Sequence, residues 1–300
     1  ATALKLLRNH ANLTVTTRFP ALALAEFQKE KDFSTWENKL NIYGLDLRNL
    51  KAVEEFINYY IKKNNHLDIL INNAAQTIKY DEKYYVPLIA QEKELKLLMG
   101  EKIIPNKTAI LNQDISQKLL AADILDYEKT RFGLPVDKRL KNSWNSTLEE
   151  VELMELLEVN LINHISPYLL IKELTPLLNK SPFKNKFIIN VTSSEGQFSY
   201  SNKSIFHPHT NMTKAALNMM TRTSAKEYEK NHIFMNSVDV GWVSTGAIEP
   251  LRKKQFSSGY IPPLDSVDGA ARIIHPMYEA LKNEIYFSGK LLKNYKITDW

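Results

Sequence analysis

Four short segments of the sequence carry hydroxyl, amide and ammonium groups of the kinds that bind and activate a small ligand. They are residues 72–75 (NNAA), 192–196 (TSSEG), 210–214 (TNMTK) and 241–245 (GWVST). In an open parallel sheet, ligands bind at the carboxyl ends of the strands. Three of the segments follow predicted strands and the fourth opens a helix, so we expect all four to meet at that edge.

Histidines near the third segment could move a proton. His207 and His209 lie just before Lys214, and an imidazole titrates in the range that suits proton transfer at neutral pH. Tyr200 is a further candidate. Each of these residues also has a structural alternative: a histidine in a loop is often merely exposed, Ser193 could satisfy local backbone, and Lys214 could be a solvated helix lysine.

Composition excludes several kinds of site and partner. The chain has 300 residues, 44% of them apolar, which is enough to bury a core. The absence of cysteine excludes disulfides, thiolate ligands and a cysteine nucleophile, and we expect no metal site. The net charge of +5 is dispersed among acidic residues, so we expect no nucleic-acid partner. The longest stretch without Asp, Glu, Lys or Arg, 159–171, is too short to span a bilayer, and with no signal peptide visible we expect a cytoplasmic protein.

A sheet is needed to position the four segments, and the hydrophobic pattern predicts one. Short β-rich strands are predicted at 13–17, 42–47, 67–71, 187–193 and 233–240, and helices at 1–11, 50–63, 153–178 and 212–229. Buried strands that alternate with helices are typical of a parallel sheet covered on both faces. We therefore predict an α/β fold, a doubly wound Rossmann-like sheet, in a single domain over residues 1–300.

One long stretch interrupts this alternation, because residues 73–160 contain no convincing strand. Two amphipathic stretches within it, 88–99 and 115–130, predict helices. A loop of this length without elements of its own would be unusual. We therefore expect a helical insertion over residues 82–147, with a role as a lid or as a contact for a partner.

Taken together and in this order, the four segments resemble those of the short-chain dehydrogenase/reductase family, which binds NAD or NADP on a Rossmann sheet. The resemblance runs from Ala1 to about Leu178, apart from the insertion, and from Phe187 to Gly246. Each motif is weak by itself, but the set is specific. A subset of the family is more similar still, with NNA-Gln-Thr at 72–77, His-Pro-His-Thr-Asn-Met-Thr-Lys at 207–214 and the ending KNYKITDW.

The resemblance implies roles for individual residues. Ser193 would hydrogen-bond the substrate oxygen, Lys214 would bind the nicotinamide ribose, and Asn160 would be the helix asparagine of the family's catalytic group. Ala75 and Val240 stand where the family usually has Gly and Pro. The implied cofactor contacts come from Asp46, Leu47, Asn73, Ala74, Lys214 and Thr245.

The identity of the cofactor is indicated by Arg18, which directly follows the strand at 13–17. A guanidinium at this place suits the 2′-phosphate of NADP, and no acidic residue replaces it to hold a free ribose hydroxyl. We therefore expect NADP, with NAD as the alternative.

Two features depart from the family's pattern. The chain begins at the helix that should follow the glycine-rich turn, without an initiator methionine, so we expect an N-terminally truncated sheet whose turn and first strand lie before Ala1. The position of the catalytic tyrosine is Thr210, and an aliphatic hydroxyl is far less acidic than a phenol. Four extra residues between Ser193 and Lys214 bring His207 and His209 near that position.

Two functions follow from these observations. The first is an NADP-preferring oxidoreductase that moves hydride between nicotinamide and a small carbonyl or alcohol substrate, with His207, His209 or Tyr200 relaying the proton. The second is a catalytically inactive scaffold, a pseudoenzyme, that binds a partner protein or forms a homo-oligomer through the insertion. The retained Asn160, Ser193 and Lys214 favour the enzyme, and the missing turn and tyrosine favour the scaffold.

Overall fold

The structure is a computed structural model, and it describes residues 1–99, 103–104, 127–130, 133–244 and 246–300. Its strands are β1 (Leu13–Thr17), β2 (Leu40–Gly44), β3 (Ile69–Asn72), β4 (Lys186–Thr192), β5 (Ile233–Asp239), β6 (Leu291–Lys293) and β7 (Lys296–Thr298). Its helices are α1 (Thr2–Arg8), α2 (Pro20–Gln28), α3 (Phe33–Trp36), α4 (Leu50–Lys63), α5 (Glu82–Met99), α6 (Leu153–Asn160), α7 (Ser166–Asn179), α8 (Pro208–Glu229), α9 (Glu249–Ser257) and α10 (Ser266–Lys282). None of the described helices is both long enough and apolar enough to cross a membrane.

The strands form two sheets, and all strand pairs except the last are parallel. One sheet has five strands in the order β3-β4-β5-β6-β7, with β7 antiparallel to β6. The other pairs β1 with β2, so among the described residues β1 and β3 each have a strand neighbour on one side only. The predicted α/β fold with a parallel sheet is confirmed, and its strands are divided between two sheets.

Both faces of the larger sheet are covered, as the continuous apolar runs of its central strands require. Every residue of β4 and β5 is buried. Phe187 and Ile189 pack with Ile273 and Met277 of α10 on one face. On the other face Ile188 belongs to a cluster with residues of α7 and α8. Alternate residues of one strand therefore serve two separate cores.

The predicted helix over 153–178 is interrupted in the structure. Residues Leu161–Ile165 form a π-turn between α6 and α7. Pro176, which we expected to close the helix, lies inside α7, which continues to Asn179. The last turn persists because Leu177 and Leu178 are almost fully buried, and their packing outweighs the backbone hydrogen bond that a proline removes.

Within residues 82–147, helix α5 contacts α2, and Ile104 contacts the two-stranded sheet. The carboxylate of Glu92 in α5 accepts hydrogen bonds from the backbone N–H groups of Ala21 and Leu22, both at 2.9 Å, and so caps α2. Ile104 bridges Tyr43 of β2 in parallel fashion. The helix predicted at 88–99 falls within α5, whereas that at 115–130 lies, apart from its last four residues, outside the described residues.

A row of buried polar side chains joins the adjacent strands β3, β4 and β5 to α8. Asn72, Asn190 and Ser237 occupy the same register on β3, β4 and β5. Asn72 Nδ2 donates to Asn190 Oδ1 at 2.8 Å, and Asn190 Nδ2 donates to Thr221 Oγ1 at 2.9 Å. Ser237 Oγ also donates to Thr221 Oγ1, at 2.9 Å. The Thr221 hydroxyl is therefore the shared acceptor of two strands.

Thr221→Val should remove that acceptor and leave two buried donors unpaired. We expect a loss of about 1–3 kcal/mol in the free energy of unfolding, measured by chemical denaturation. Thr223→Val is the matched control, because Thr223 is exposed and its hydroxyl bonds only within its own helix. Equal effects of the two substitutions would contradict this account of the row.

Candidate active site

A close approach between α8 and the loop after β4 builds the candidate site. Ser193 follows β4 and precedes a 3₁₀ turn at Ser194–Gly196. A Cβ atom on Gly196 would lie 2.7 Å from the Lys214 carbonyl carbon, so only glycine permits this approach. Asn218 Nδ2 donates to the Gly196 carbonyl at 3.0 Å and fixes the loop against the helix.

Lys214 brings its ammonium group to the carboxyl end of β4. Its side chain is buried, and Nζ donates to the Val191 carbonyl at 2.8 Å. Burial lowers the pKa of Lys214 to about 8, against the opposing attraction of Glu195 and Asp239. The structure thus places Lys214 beside the segment that contains Ser193, and not in solvent.

Glu195 supplies a negative charge that the sequence analysis did not single out. Burial raises the pKa of Glu195, but the His207 imidazole and the Ser193 hydroxyl outweigh it and hold that pKa at about 2. The carboxylate is therefore ionised at neutral pH. The signal was present in the segment TSSEG, where Glu195 stands two residues after Ser193.

His207 lies beside this carboxylate and is 8% exposed. Its Nε2 is 3.8 Å from Glu195 Oε1. Its Nδ1 is 2.8 Å from the Trp144 carbonyl oxygen, and its ring stacks on the Trp144 indole with centroids 4.8 Å apart. The structure therefore brings His207, Glu195 and Ser193 into one cluster.

The other candidates for proton transfer are placed differently. His209 is 1% exposed, and its Nε2 lies 2.8 Å from the Thr77 carbonyl oxygen, so this imidazole holds the loop after β3. Tyr200 is half-exposed, with Lys293 Nζ 5.0 Å from its ring centroid. The Thr210 hydroxyl is buried without a hydrogen-bond partner among the described residues.

The asparagine that links the site to the loop after β3 is Asn163, not Asn160. Asn160 Nδ2 donates to the Leu156 carbonyl of its own helix at 2.7 Å. Asn163 accepts from the backbone N–H of Gln76 at 2.8 Å and donates to its carbonyl at 2.9 Å. It also donates to Thr213 Oγ1 at 2.9 Å. The π-turn positions Asn163 for these contacts, which the sequence pattern could not predict.

Five of the predicted cofactor residues, namely Arg18, Asp46, Leu47, Asn73 and Ala74, lie at the carboxyl ends of β1, β2 and β3. Asn73 and Ala74 are exposed in the turn after β3. The Arg18 guanidinium donates to the Tyr85 hydroxyl at 3.2 Å and has no carboxylate partner among the described residues. The Asp46 carboxylate is buried and paired with Arg48, with Nη2 and Oδ2 2.6 Å apart.

The last two predicted cofactor residues differ in what the structure describes. The Leu47 carbonyl accepts a hydrogen bond from the Ser166 hydroxyl at 2.8 Å, which ties the loop after β2 to α7. Thr245 lies outside the described residues. Within the described part of the chain, no group of three or more His, Asp or Glu side chains could hold a metal ion.

Comparisons with known proteins bear on this arrangement. Residues 140–260, which include Ser193, His207 and Lys214, match a family model described as enoyl-(acyl carrier protein) reductase. A short-chain dehydrogenase/reductase of unknown function from Caenorhabditis elegans, solved with cofactor, superimposes with a TM-score of 0.62 at 17% identity, covering 97% of this chain and 88% of that one. The likeness shows that this chain has the same fold as that short-chain dehydrogenase/reductase.

Two further relatives are informative. The NADPH-bound carbonyl reductase from chicken fatty liver matches with a TM-score of 0.53 at 19% identity, over 96% of this chain and 87% of that one. An uncharacterized protein of Acanthamoeba polyphaga mimivirus is 30% identical over 292 residues, which are 92% of this chain. The match covers 59% of that protein, so this chain spans about three fifths of the curated relative's length.

Gly196→Ala should disturb the candidate site, because the added Cβ would lie 2.7–2.8 Å from backbone atoms of Lys214 and from Asn218 Nδ2. We expect a loss of about 1–3 kcal/mol in the free energy of unfolding, the usual cost of overpacking. Gly269→Ala is the control, since it lies within α10 and its Cβ would meet nothing closer than 3.4 Å. That substitution should be neutral or stabilising. Thermal unfolding of both variants tests the contrast, and equal losses would refute it.

Proposed function

We propose that the chain is an NADP(H)-dependent oxidoreductase that interconverts a small carbonyl compound and its alcohol. The observation that carries the proposal is the cluster at the carboxyl end of β4, where a buried ammonium, an ionised carboxylate, a hydroxyl and an imidazole lie together. The pKa values of Lys214 and Glu195 are both perturbed, and such groups are concentrated at active sites. A structural role alone would not require a buried lysine beside a half-buried, ionised glutamate at a strand end.

The residues present fit a nicotinamide dinucleotide that carries a 2′-phosphate. Arg18 contacts a tyrosine hydroxyl and aromatic rings and has no carboxylate partner in the part of the chain that the structure describes, so its charge is available for an anion. Arg48, in contrast, is neutralised by Asp46. The chicken carbonyl reductase of the same fold is NADPH-bound. NAD remains the alternative cofactor. When bound, the nicotinamide supplies or accepts the hydride.

The polar groups of the cluster would handle the oxygen of the substrate. When substrate binds, the Ser193 hydroxyl hydrogen would turn from Glu195 to the carbonyl oxygen. Lys214 would orient the cofactor ribose and stabilise negative charge that develops nearby. As the carbonyl carbon accepts hydride, its oxygen takes a proton from His207 Nε2, and in the oxidation direction the same imidazole accepts it. Thr210 cannot replace a phenol in this step because an aliphatic hydroxyl is too weak an acid.

His207 is preferred as the proton carrier over the two other candidates. His209 commits Nε2 to a backbone carbonyl and is fully buried, so neither nitrogen is open to a substrate. Tyr200 makes a cation–π contact with Lys293 and has no contact with Glu195 among the described interactions. Only His207 pairs with the ionised Glu195 next to Ser193.

His207→Ala should lower the rate of NADPH-dependent reduction by roughly 10²- to 10⁴-fold, the usual contribution of a positioned acid or base. The assay would use a panel of aldehydes, ketones and α,β-unsaturated thioesters, since the matched family model is described as an enoyl reductase. His232→Ala, at an exposed turn, is the matched control, and Tyr200→Phe should keep the parental rate. Unchanged turnover in His207→Ala would reject this histidine as the donor. A folded parent that binds NADPH and reduces nothing would favour the inactive scaffold instead.

Arg18→Glu should weaken binding of NADPH by about 10- to 100-fold and leave NADH binding nearly unchanged, because one charge-assisted contact to phosphate contributes about 1.5–3 kcal/mol. Titration by nicotinamide fluorescence measures both constants. Arg222→Glu makes the same charge change on the exposed side of α8 and serves as the control. If the ratio of the two affinities stays the same in Arg18→Glu, Arg18 does not read the phosphate.

A further inference from the structure

Residues 142–146 hold His207 at three points, although the sequence analysis placed this segment in the insertion. The His207 backbone N–H donates to the Ser146 carbonyl at 2.8 Å. Its Nδ1 lies 2.8 Å from the Trp144 carbonyl oxygen, and its ring stacks on the Trp144 indole with an interplanar angle of 17°. Backbone, ring nitrogen and ring face are therefore all fixed by one short segment.

The segment is itself anchored, so it can act as a rigid support. The Asn142 side chain donates to the Gly246 carbonyl and to Asp137 Oδ2, both at 2.9 Å. The Trp144 ring packs so closely on Gly246 that a Cβ there would lie 2.6 Å from Cε3 of the indole. Trp144 is thus wedged between His207 and the loop after β5.

The backbone of His207 is strained, with φ at +42° directly before α8. A residue with a side chain reaches this left-handed region only at a cost, and such strain persists where the surroundings over-determine it. The three contacts with residues 142–146 hold the His207 backbone in this strained conformation. They also separate His207 from an ordinary loop histidine, whose ring would be free to turn in solvent.

The contact with Trp144 decides which nitrogen of His207 carries hydrogen. A backbone carbonyl only accepts hydrogen bonds, so Nδ1 must be the protonated nitrogen, and Nε2 is left to face Glu195. The 3.8 Å between Nε2 and Glu195 Oε1 is an ion-pair distance but too long for a direct hydrogen bond. The carboxylate therefore stabilises a proton on Nε2 electrostatically, and that proton stays free to hydrogen-bond a substrate.

We propose that Trp144 is a positioning residue that holds His207 in one orientation and one tautomer, and that Glu195 stabilises the imidazolium form. The proposal rests on the proposed function, in which His207 moves the proton. The imidazolium gives its Nε2 proton to the substrate oxygen, becomes the neutral Nδ1–H imidazole and regains a proton from water. Residues 142–146 thereby complete the active site.

The charges around this pair come from two elements besides the Glu195 turn. Lys214 of α8 and Lys203 of the loop before it both interact with the Glu195 carboxylate. Lys203 Nζ also donates to the Ser194 carbonyl at 2.8 Å and to Asn211 Oδ1 at 2.9 Å. The residues of 142–146 that touch His207 contribute carbonyls and a neutral ring. Of these groups, the Glu195 carboxylate is the one that favours a positive charge on His207.

Trp144→Ala tests the positioning role, with Trp144→Phe as the conservative variant that keeps an aromatic face. We expect Trp144→Ala to lower kcat by about 10- to 100-fold with a smaller change in KM, because a misplaced proton donor costs rate and not binding. Trp144→Phe should restore most of the rate. Gly246→Ala, which would push the indole, should lower kcat in the same direction.

A measurement independent of activity keeps the two proposals separate. In the ¹⁵N-histidine-labelled protein, long-range ¹H–¹⁵N spectra report the tautomer of His207, which should be Nδ1–H in the parent and in Trp144→Phe. Trp144→Ala keeps the backbone carbonyl but removes the stacked ring, so the imidazole can turn away from that carbonyl and the tautomer should be mixed. Glu195→Gln should keep this tautomer but lower kcat, since the imidazolium loses the carboxylate whose Oε1 lies 3.8 Å from Nε2.

The outcomes distinguish failure of the positioning role from failure of the proposed function. A folded Trp144→Ala protein with the parental tautomer and rate would overturn the role of Trp144 and leave the oxidoreductase intact. A parental kcat in Glu195→Gln would overturn the role of Glu195. A parent that reduces nothing would overturn the proposed function, and the tautomer measurement would still decide whether Trp144 fixes the ring.

Discussion

The burial of the Lys214 ammonium is the constraint on which the arrangement around the site depends. An ionised group in the interior is costly unless it is paired, and here the Val191 carbonyl and the charges of Glu195 and Asp239 surround it. Asp239 in turn pairs with Lys293, with Nζ and Oδ2 3.0 Å apart. The ends of β4 and β5 therefore form a connected set of alternating charges, and loss of one member would leave another uncompensated.

One face of helix α8 both packs against the core and carries residues of the candidate site. Thr213, Leu217 and Thr221 are fully buried, and they join the helix to Asn163, to the apolar interior and to the polar row across β3, β4 and β5. Lys214 and Thr210 lie on this face nearer the N-terminus. Because one rigid helix carries all of these contacts, the orientation of the Lys214 side chain is coupled to the packing of the central strands. Site geometry and stability are consequently linked in this protein.

Several elements could be predicted because local patterns and tertiary packing agree. The strand at 13–17 and the helix at 50–63 have the predicted bounds, whereas β4 begins and ends one residue before its predicted bounds and β5 ends one residue early. Residues 33–39, for which no element was predicted, form α3 and a 3₁₀ turn, because Trp36 is buried and packs edge-on against Phe33. Helix α2 was not predicted, and its cap, Glu92, comes from 70 residues further along the chain. Such long-range contacts leave no local periodicity to detect.

Some residues of the candidate site could be predicted from the sequence, and others could be found only in the tertiary structure. Residue types and spacing by themselves pointed to Ser193, Lys214 and a histidine before α8, since these stand at strand ends and at a helix start that any parallel sheet brings to one edge. Only the tertiary structure placed Glu195 and Trp144 against the His207 imidazole. It also placed His209 Nε2 at the Thr77 carbonyl and brought Asn163 to Thr213. Sequence periodicity reports which face of an element is buried, but not which side chain from a distant segment will meet it. The partner of His207 is Trp144, 63 residues earlier in the chain, and folding alone brings the two together.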